Sequence, residues 1–282
     1  MDIRKVGIIA NSSKEKAPEC ALQLAGWLSH RGVEVLFEDG IAEKIRVTGV
    51  SGNDLASAVD LLVVFGGDGT LLMAARLAMG SDVPILGVNM GGFGYMTVVN
   101  LDEMIGDMEL VLEGKYTLSQ RMMLSVSVEG ADHPALNDVV INRGNLSRMV
   151  NLETFVDGKY LTTFKADGLI VSTPTGSTAY SLSSGGPIVM PELKSIVINP
   201  ICPHTLTNRP LVLPPESEIE VVVWTKEGKA SVTLDGQDLY ILKSGDRVTM
   251  RKSKDCINLV ESPHRDYLEI LRTKLGWGGL PG

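Results

Sequence analysis

A short glycine-rich segment in the first third of the chain has the residue types and spacing that phosphate chemistry uses. Gly66-Gly67-Asp68-Gly69-Thr70 follows the apolar run Leu61–Phe65, which predicts a buried strand, and precedes a predicted helix. The glycines let the backbone turn sharply and approach a ligand closely, and N–H groups at a helix start attract phosphate. Asp68 is suited to orient an attacking hydroxyl or to accept its proton. A plain turn in which Asp68 or Thr70 caps the helix remains the alternative.

A second polar segment lies in the other half of the chain. Seven serines and threonines fall within the twelve positions from Ser172 to Ser183, directly after Asp167-Gly168 and an apolar run. Together with Gly176 and Gly185-Gly186 they make a polar loop rich in hydroxyl and backbone donors. A hydroxyl-rich surface turn remains the alternative.

The elements that must position these segments fall into two groups. Over the first hundred residues, short apolar runs alternate with helical periodicity, which is typical of a βαβ series. The predicted strands are Val6–Ala10, Val33–Phe37, Leu61–Phe65 and Val83–Val88, and the predicted helices begin near Pro18, Thr70 and Leu101. The pattern predicts an α/β N-terminal domain with a mostly parallel sheet over residues 1–116.

From about Arg121 the pattern changes to short strand-like runs at close spacing, without long helical periodicity. We therefore predict a β-rich (all-β) second domain over residues 117–262. Within it, Ser217–Leu234 is predicted to form a hairpin with Lys226–Lys229 at its tip. Residues 263–282 contain a helical pattern, Arg265–Leu275, and are expected to return to the first domain.

Charge and cysteine content exclude several classes of protein. The net charge is −8 and no run of five basic residues occurs, so a nucleic-acid partner is not expected. The three cysteines are far apart and form no C-x-x-C pair, which argues against a disulfide framework or a zinc site. No apolar stretch approaches the ~18 residues of a membrane span. We expect a cytoplasmic protein that does not bind membranes.

Over nearly its whole length the chain resembles the NAD kinase family of bacterial type. The motifs that carry the resemblance are Gly66–Thr70, Asn137-Asp138-Val139-Val140, Asp167–Ser183 with Gly185-Gly186-Pro187, Pro203-His204-Thr205-Leu206 with Arg209-Pro210-Leu211, Leu234-Asp235-Gly236-Gln237 and Thr273-Lys274-Leu275-Gly276-Trp277. The Gly-Gly-Asp-Gly turn alone is moderately specific, because phosphofructokinases and diacylglycerol-type lipid kinases resemble it. The long run after Asp167 is highly specific.

The resemblance implies transfer of a phosphoryl group from ATP to the 2′-hydroxyl of the adenosine ribose of NAD, which gives NADP. It implies a divalent metal, Mg²⁺, accompanying the ATP, and a homo-oligomer, either a dimer or a tetramer. A lipid or sugar kinase with the same glycine turn and a non-catalytic NAD(P)-binding regulator are the alternatives. The regulator would not need Asp68.

The resemblance also assigns roles to individual residues. Asp68 is the implied proton acceptor, in a turn where Gly66, Gly67 and Gly69 contact substrate. The implied dinucleotide-binding residues are Asn137 and Asp138 at its hydroxyls, Arg148, Lys165 and Asp167 at a polar rim, Thr175, Thr178, Ala179, Tyr180, Ser181, Leu182 and Ser183 around the nucleotide, and Gln237 closing the pocket. A bulky basic residue such as Lys165 implies a preference for ATP over inorganic polyphosphate, which family members with a small residue there tend to accept.

Two segments depart from the family pattern. The family usually has Asn-Glu where this chain has Asn137-Asp138, so the carboxylate reaches one methylene less far. The resemblance implies a contact with the dinucleotide, either direct or, because of the shorter reach, through a bridging water. The segment Asn89–Met96 also differs from the usual Leu-Gly-Phe-Leu pattern, and because its bulk is similar we expect altered packing with retained function.

Overall fold

The computed structural model describes residues 2–92, 94–144, 149–205, 207–225 and 229–277. The chain forms two compact units. The first combines residues 1–120 with residues 257–282, and the second contains residues 121–256. The domain limits proposed from the sequence, at residues 116 and 262, lie a few residues away from these divisions.

The first unit is an α/β structure around parallel strands. Its elements are β1 (Lys5–Ala10), α1 (Ala17–Ser29), β2 (Glu34–Phe37), α2 (Asp39–Ile45), α3 (Gly52–Ala58), β3 (Leu61–Gly66), α4 (Asp68–Leu77), β4 (Ile85–Asn89), β5 (Val99–Asn100) and α5 (Met104–Leu112). The strand order is β5-β4-β3-β1-β2, and every neighbouring pair is parallel.

The centre of this sheet is buried because its strands are continuous apolar runs covered by helices. All six residues of β3 are buried. Helix α1 has a proline in its first turn, where the missing N–H costs nothing. It places Leu24 and Leu28 in the same core as Phe65 of β3. This packing fixes the end of β3, where the glycine turn begins.

The second unit is built from antiparallel strands. Its elements are β6 (Leu118–Val128), β7 (Ala131–Ala135), β8 (Asp138–Asn142), β9 (Val150–Val156), β10 (Lys159–Ala166), β11 (Gly168–Ser172), a 3₁₀ turn (Thr175–Thr178), α6 (Tyr180–Ser183), β12 (Ile196–Ile201), β13 (Leu211–Leu213), β14 (Ile219–Trp224), β15 (Ala230–Leu234), β16 (Asp238–Leu242) and β17 (Arg247–Val260). One sheet has the order β13-β12-β11-β8-β15-β16, and β10-β9-β14-β17 follow one another in the other.

The last residues belong to the first unit. Strand β17 begins in the second unit, and its final residues, from Ile257 onward, lie in the first, where Leu259 pairs in parallel with Ile85 of β4. Helix α7 (Tyr267–Leu275) follows and places Ile270 in the core. Its N-cap Asp266 accepts a hydrogen bond of 2.7 Å from the backbone N–H of Glu269.

The predicted fold class is confirmed: a mostly parallel α/β unit is combined with a β-rich unit that contains one short helix. The predicted hairpin over Ser217–Leu234 is wrong. Strand β14 pairs with β9 and β17, whereas β15 pairs with β8 and β16. Both edges of each strand are therefore occupied by other partners, and residues 226–228 of the predicted tip lie outside the described residues.

Among the helices that the structure describes, none combines the length and apolar character required to span a bilayer. The three cysteines are free thiols.

Candidate functional site

The glycine turn lies where the sequence predicts it, between β3 and α4. Gly66 is the last residue of β3, Gly67 is the N-cap of α4, and Asp68 is the first helical residue. A Cβ atom at Gly66 would lie 2.6 Å from the Cβ of Thr70, so the turn requires glycine there for its own packing.

Gly67 and Gly69 have no such internal reason to be glycine. A Cβ atom at either position would meet no described atom within 4 Å, and Gly69 is exposed. Space is therefore left open next to Asp68. A ligand whose phosphate or ribose approaches the backbone closely would account for both glycines.

The Asp68 carboxylate is held by a loop that follows β4. Its Oδ2 accepts the backbone N–H of Tyr95 at 2.8 Å, and its Oδ1 accepts those of Met96 at 3.0 Å and Thr97 at 3.1 Å. The Thr97 hydroxyl lies 3.4 Å from the same Oδ1. The carboxylate thus bonds to a distant loop, which overturns the alternative that Asp68 serves only as a helix cap.

The two carboxylate oxygens differ in remaining capacity. A carboxylate can accept about four hydrogen bonds, two at each oxygen. Oδ1 already accepts three contacts, whereas Oδ2 accepts one from the described residues. Asp68 is half-buried. Oδ2 is therefore the atom with room to accept a hydroxyl proton.

The role of the segment Asn89–Met96, which begins at the last residue of β4 and differs from the family pattern, was not predicted from the sequence. The buried Asn89 side chain donates to the Gly92 carbonyl at 3.0 Å and accepts from the Gly91 N–H at 2.7 Å, which shapes the loop. A Cβ atom at Gly94 would overlap Asp68 Oδ1 and Thr97 Oγ1. Gly94 therefore permits the close approach that places three N–H groups on the carboxylate. An asparagine at a strand end followed by closely spaced glycines is the signal that could have revealed it.

In the second unit, Asn137 lies immediately before β8 and is buried. Its main-chain carbonyl accepts the N–H of Thr173 at 2.9 Å and the hydroxyl of Ser172 at 3.2 Å. Its side-chain Oδ1 is buried and has no hydrogen-bond partner among the described residues. Buried polar groups are rarely left unsatisfied, so this oxygen requires an explanation.

Asp138, the next residue, has a strongly perturbed carboxyl group. It is buried, and burial raises its pKa to about 7, with a further contribution from the negative charge of Asp235. The backbone N–H of Tyr180 acts in the opposite direction by hydrogen bonding to the carboxyl. A pKa in this range is common at sites that bind or transform ligands.

The hydroxyl-rich run packs on the Asn137 segment. The Thr173 hydroxyl donates to the Leu136 carbonyl at 2.6 Å, and a Cβ atom at Gly176 would overlap the Asn137 carbonyl. Ser181 is fully buried, and its carbonyl accepts from the Asn199 side chain at 2.9 Å. Several hydroxyls thus bond to the backbone of the loop itself. Because most of the serines and threonines in this run are buried, it is not a plain surface turn.

The remaining residues of the run differ in exposure. Thr175 and Thr178 are buried, Leu182 and Ala179 are half-buried, and Ser183 is exposed. The Tyr180 side chain is 47% exposed at the start of α6, so its ring is available to a ligand.

The predicted polar rim is only partly described. Lys165 is exposed on β10, and Asp167 is half-buried, with its Oδ1 3.4 Å from Nε of Arg143, a partner that the sequence did not indicate. Gln237 is exposed in the turn between β15 and β16. Arg148 lies outside the described residues. The roles predicted for these residues stay predictions.

No cluster suited to a metal ion is present among the described residues: no three histidine, cysteine, aspartate or glutamate side chains are grouped so that they could hold one.

Comparison with known proteins agrees with both units. Residues 6–116 match the model of the ATP-NAD kinase N-terminal domain, and residues 136–262 match that of the ATP-NAD kinase C-terminal domain. An NAD kinase of Geobacter metallireducens is 47% identical over 281 residues, 98% of this chain and 99% of the relative. An NAD kinase of Magnetococcus marinus is 41% identical, over 99% of this chain and 96% of the relative. The chain belongs to the NAD kinase family.

Solved structures show the same fold. A yeast NADH kinase complexed with NADH superposes with a TM-score of 0.91 and 28% identity, over 99% of this chain and 89% of that chain. An Archaeoglobus fulgidus NAD kinase in complex with ATP superposes with a TM-score of 0.78 over 96% of this chain and 97% of that chain. At 24% identity, the second comparison supports the fold alone.

Proposed function

We propose that this protein is an ATP-dependent NAD kinase, a phosphotransferase with an alcohol group as acceptor, which phosphorylates the 2′-hydroxyl of the adenosine ribose of NAD. The observation that carries the proposal is the Asp68 carboxylate, fixed by three backbone N–H groups beside two glycines that internal packing does not require. A non-catalytic NAD(P)-binding protein would have no use for this arrangement.

In the proposed mechanism Asp68 acts as general base. The 2′-hydroxyl oxygen attacks the γ-phosphorus of ATP, the bond to the bridging oxygen of ADP breaks, and the hydroxyl proton passes to Asp68 Oδ2. The N–H groups of Tyr95, Met96 and Thr97 keep the carboxylate in one orientation before the reaction. Such fixed positioning lowers the barrier because little reorganisation remains.

The second unit supplies the proposed dinucleotide contacts. The unsatisfied Oδ1 of Asn137 is the proposed acceptor for a ribose hydroxyl, and Asp138 is the next residue in the chain. A site with buried polar groups of this kind rejects analogues that lack the matching hydroxyl. These buried polar groups disfavour a lipid kinase, because a lipid acceptor would require an apolar surface.

Mg²⁺ would enter the site bound to the phosphates of ATP. The described residues offer no cluster that could hold a metal by itself, which fits the tendency of Mg²⁺ to be bound through substrate phosphates and water. When bound, it supplies positive charge to the transferring phosphoryl group. The cytoplasmic location and the homo-oligomeric state stay predictions from the sequence.

The experiment that tests the function is direct. Purified protein is incubated with NAD, ATP and Mg²⁺, and NADP is detected through an NADP-specific dehydrogenase. With NAD as acceptor we expect both NADP formation and ADP release. When diacylglycerol or fructose 6-phosphate replaces NAD, we expect no ADP release. ADP release with a lipid or sugar but not with NAD would overturn the proposal.

Lys165 is expected to restrict the phosphoryl donor. Its exposed ammonium can pair with a nucleotide phosphate, while its length narrows the path for a long polyanion. The protein should work poorly with polyphosphate, and Lys165→Gly should raise the ratio of the polyphosphate rate to the ATP rate about tenfold. Lys159→Gly, at an exposed lysine of the same strand, is the matched control. Equal wild-type rates with both donors would contradict the idea.

Asp138 is expected to make stability depend on pH. Its pKa is raised in the folded state, so between about pH 4 and 7 the unfolded chain loses a proton that the folded protein keeps. Asp138 should therefore contribute a fall in the free energy of unfolding across this range. Asp138→Asn, a neutral isostere, should remove the fall and stabilise the protein relative to wild type by on the order of a few kcal/mol at pH 8, with little difference near pH 4.

Urea unfolding of both proteins at a series of pH values measures this effect. Asp102→Asn, at an exposed aspartate, serves as the control and should track wild type. A constant difference between Asp138→Asn and wild type at every pH would show that the Asp138 carboxyl does not titrate near pH 7.

A further inference from the structure

Asp235 lies in the turn between β15 and β16 and is buried. Its carboxylate accepts three consecutive backbone N–H groups from the segment before and at the start of β8. Oδ2 accepts that of Leu136 at 2.9 Å, and Oδ1 accepts those of Asn137 at 2.7 Å and Asp138 at 3.2 Å. The contact is reciprocal, because the Asp235 N–H donates to the Asp138 carbonyl at 2.9 Å.

The segment from Leu136 to Asp138 is thus fixed on both sides of its backbone. Its N–H groups bond to Asp235, and its carbonyls at Leu136 and Asn137 bond to Thr173. Leu136 and Asn137 lie before the start of β8. Where a strand residue would donate its N–H to a paired strand, these two residues donate to the Asp235 carboxylate. An acceptor is required at this place, because buried N–H groups are costly when unsatisfied.

The backbone at Asp235 explains why the acceptor is an aspartate. Asp235 has φ +53° and Gly236 has φ +67°, both in the left-handed region. Aspartate and asparagine tolerate this region better than other side chains, and an aspartate offers two acceptor oxygens. An asparagine would present an amide N–H₂ group to one of the three N–H donors.

Asp235 also places a negative charge beside the Asp138 carboxyl. The groups that face this carboxyl are Asp235 from the β15–β16 turn and the backbone N–H of Tyr180 from α6. Ser172 of β11, which pairs with Asp138, is uncharged. Burial is the larger cause of the raised pKa of Asp138, and the negative charge of Asp235 raises it further.

We propose that Asp235 is a positioning residue for NAD: through its bonds to three consecutive N–H groups it fixes the segment that presents Asn137 and Asp138 to the dinucleotide. Because Asp235 also places a negative charge near Asp138, removal of that charge should alter the pH dependence of NAD binding. The inference rests on the proposed function, because it assumes that the Asn137–Asp138 segment binds NAD. It assigns to Asp235 no contact with the substrate.

Three variants test the proposal, with KM for NAD, KM for ATP and kcat measured from pH 5.5 to 9. Asp235→Asn should raise KM for NAD about tenfold or more and change KM for ATP by less than threefold. The inflection near pH 7 in the profile of KM for NAD should move to lower pH, because the like charge is gone. Asp235→Glu keeps the negative charge but moves the carboxylate. The inflection in the pH profile of KM for NAD should therefore stay near that of wild type. Asp138→Asn should remove the inflection.

Thr173→Val is the control for a purely structural effect. It removes the bond from the Thr173 hydroxyl to the Leu136 carbonyl and the bond that this hydroxyl accepts from the Gly176 N–H. The charge of Asp235 stays in place, so KM for NAD should rise while the inflection stays. If Asp235→Asn does not fold, Asp235→Glu decides: its displaced carboxylate should raise KM for NAD with little change of KM for ATP, and an unchanged KM for NAD in this variant would overturn the proposal.

An unchanged inflection in folded Asp235→Asn, or equal changes of both KM values, would overturn the proposal. So would an inflection that survives in Asp138→Asn. These outcomes are distinct from failure of the proposed function, in which the wild-type protein itself forms no NADP.

Discussion

Asp68→Asn is expected to lower kcat by on the order of 10²–10⁴, the usual contribution of a general base, and to leave KM for NAD within a few-fold of wild type. Asparagine cannot accept the 2′-hydroxyl proton. Its amide oxygen can still accept from Met96 and Thr97, but its N–H₂ group would face the Tyr95 N–H. Some loss of stability, about 1–3 kcal/mol, should accompany the loss of turnover.

A control separates the two effects. Thr97→Val removes the 3.4 Å contact between the Thr97 hydroxyl and Asp68 Oδ1 and keeps all three backbone donors. It should lower kcat by less than tenfold. Initial rates of NADP formation and urea unfolding of each protein provide both readouts. Near-normal turnover in Asp68→Asn would remove this residue from the chemistry.

Gly94→Ala should impair turnover although residue 94 has no chemistry of its own. The added Cβ would overlap Asp68 Oδ1 and Thr97 Oγ1, so the loop and the carboxylate must move apart. A misplacement of about 1 Å at a reacting group can cost on the order of 10² in rate. We expect kcat to fall by about that factor, with KM for NAD changed much less.

Gly92→Ala is the matched control in the same loop, because a Cβ atom there meets no described atom within 4 Å. It carries the same change in backbone freedom and should retain most of the wild-type kcat. Parallel assays of the two variants at saturating NAD and ATP measure the difference. Equal kcat values for both variants would show that the approach of the loop to Asp68 is not needed for turnover.

The sequence predicted elements best where a long apolar or periodic signal exists. Strand β3 and helix α1 lie close to their predicted limits because each contributes several buried side chains to one core. The short helices α2 and α3, seven residues each, were missed. They depend on local caps: Glu38 accepts from Gly40 at the start of α2, and Ser51 accepts from Asp54 at the start of α3. Such short segments carry too little periodicity to be recognised.

The candidate site was predictable in its motifs and not in its contacts. The glycine turn and the hydroxyl run are contiguous in sequence, so they could be recognised. The bonds that orient Asp68 come from residues 27 to 29 positions later, and those that hold Asn137 come from a residue 98 positions later. Each of these bonds joins a carboxylate to a backbone N–H group, which every residue except proline carries, so residue types alone do not show which residues pair.

The chain order of the two units has a consequence for synthesis. Residues 121–256 form one unit, yet the other unit takes Val260 and Ile270 of its core from residues that are translated afterwards. Domains commonly fold in the order in which they leave the ribosome. Here the N-terminal unit emerges first but reaches its full core last, after the entire β-rich unit has been made, so the β-rich unit is the first whose sequence is complete.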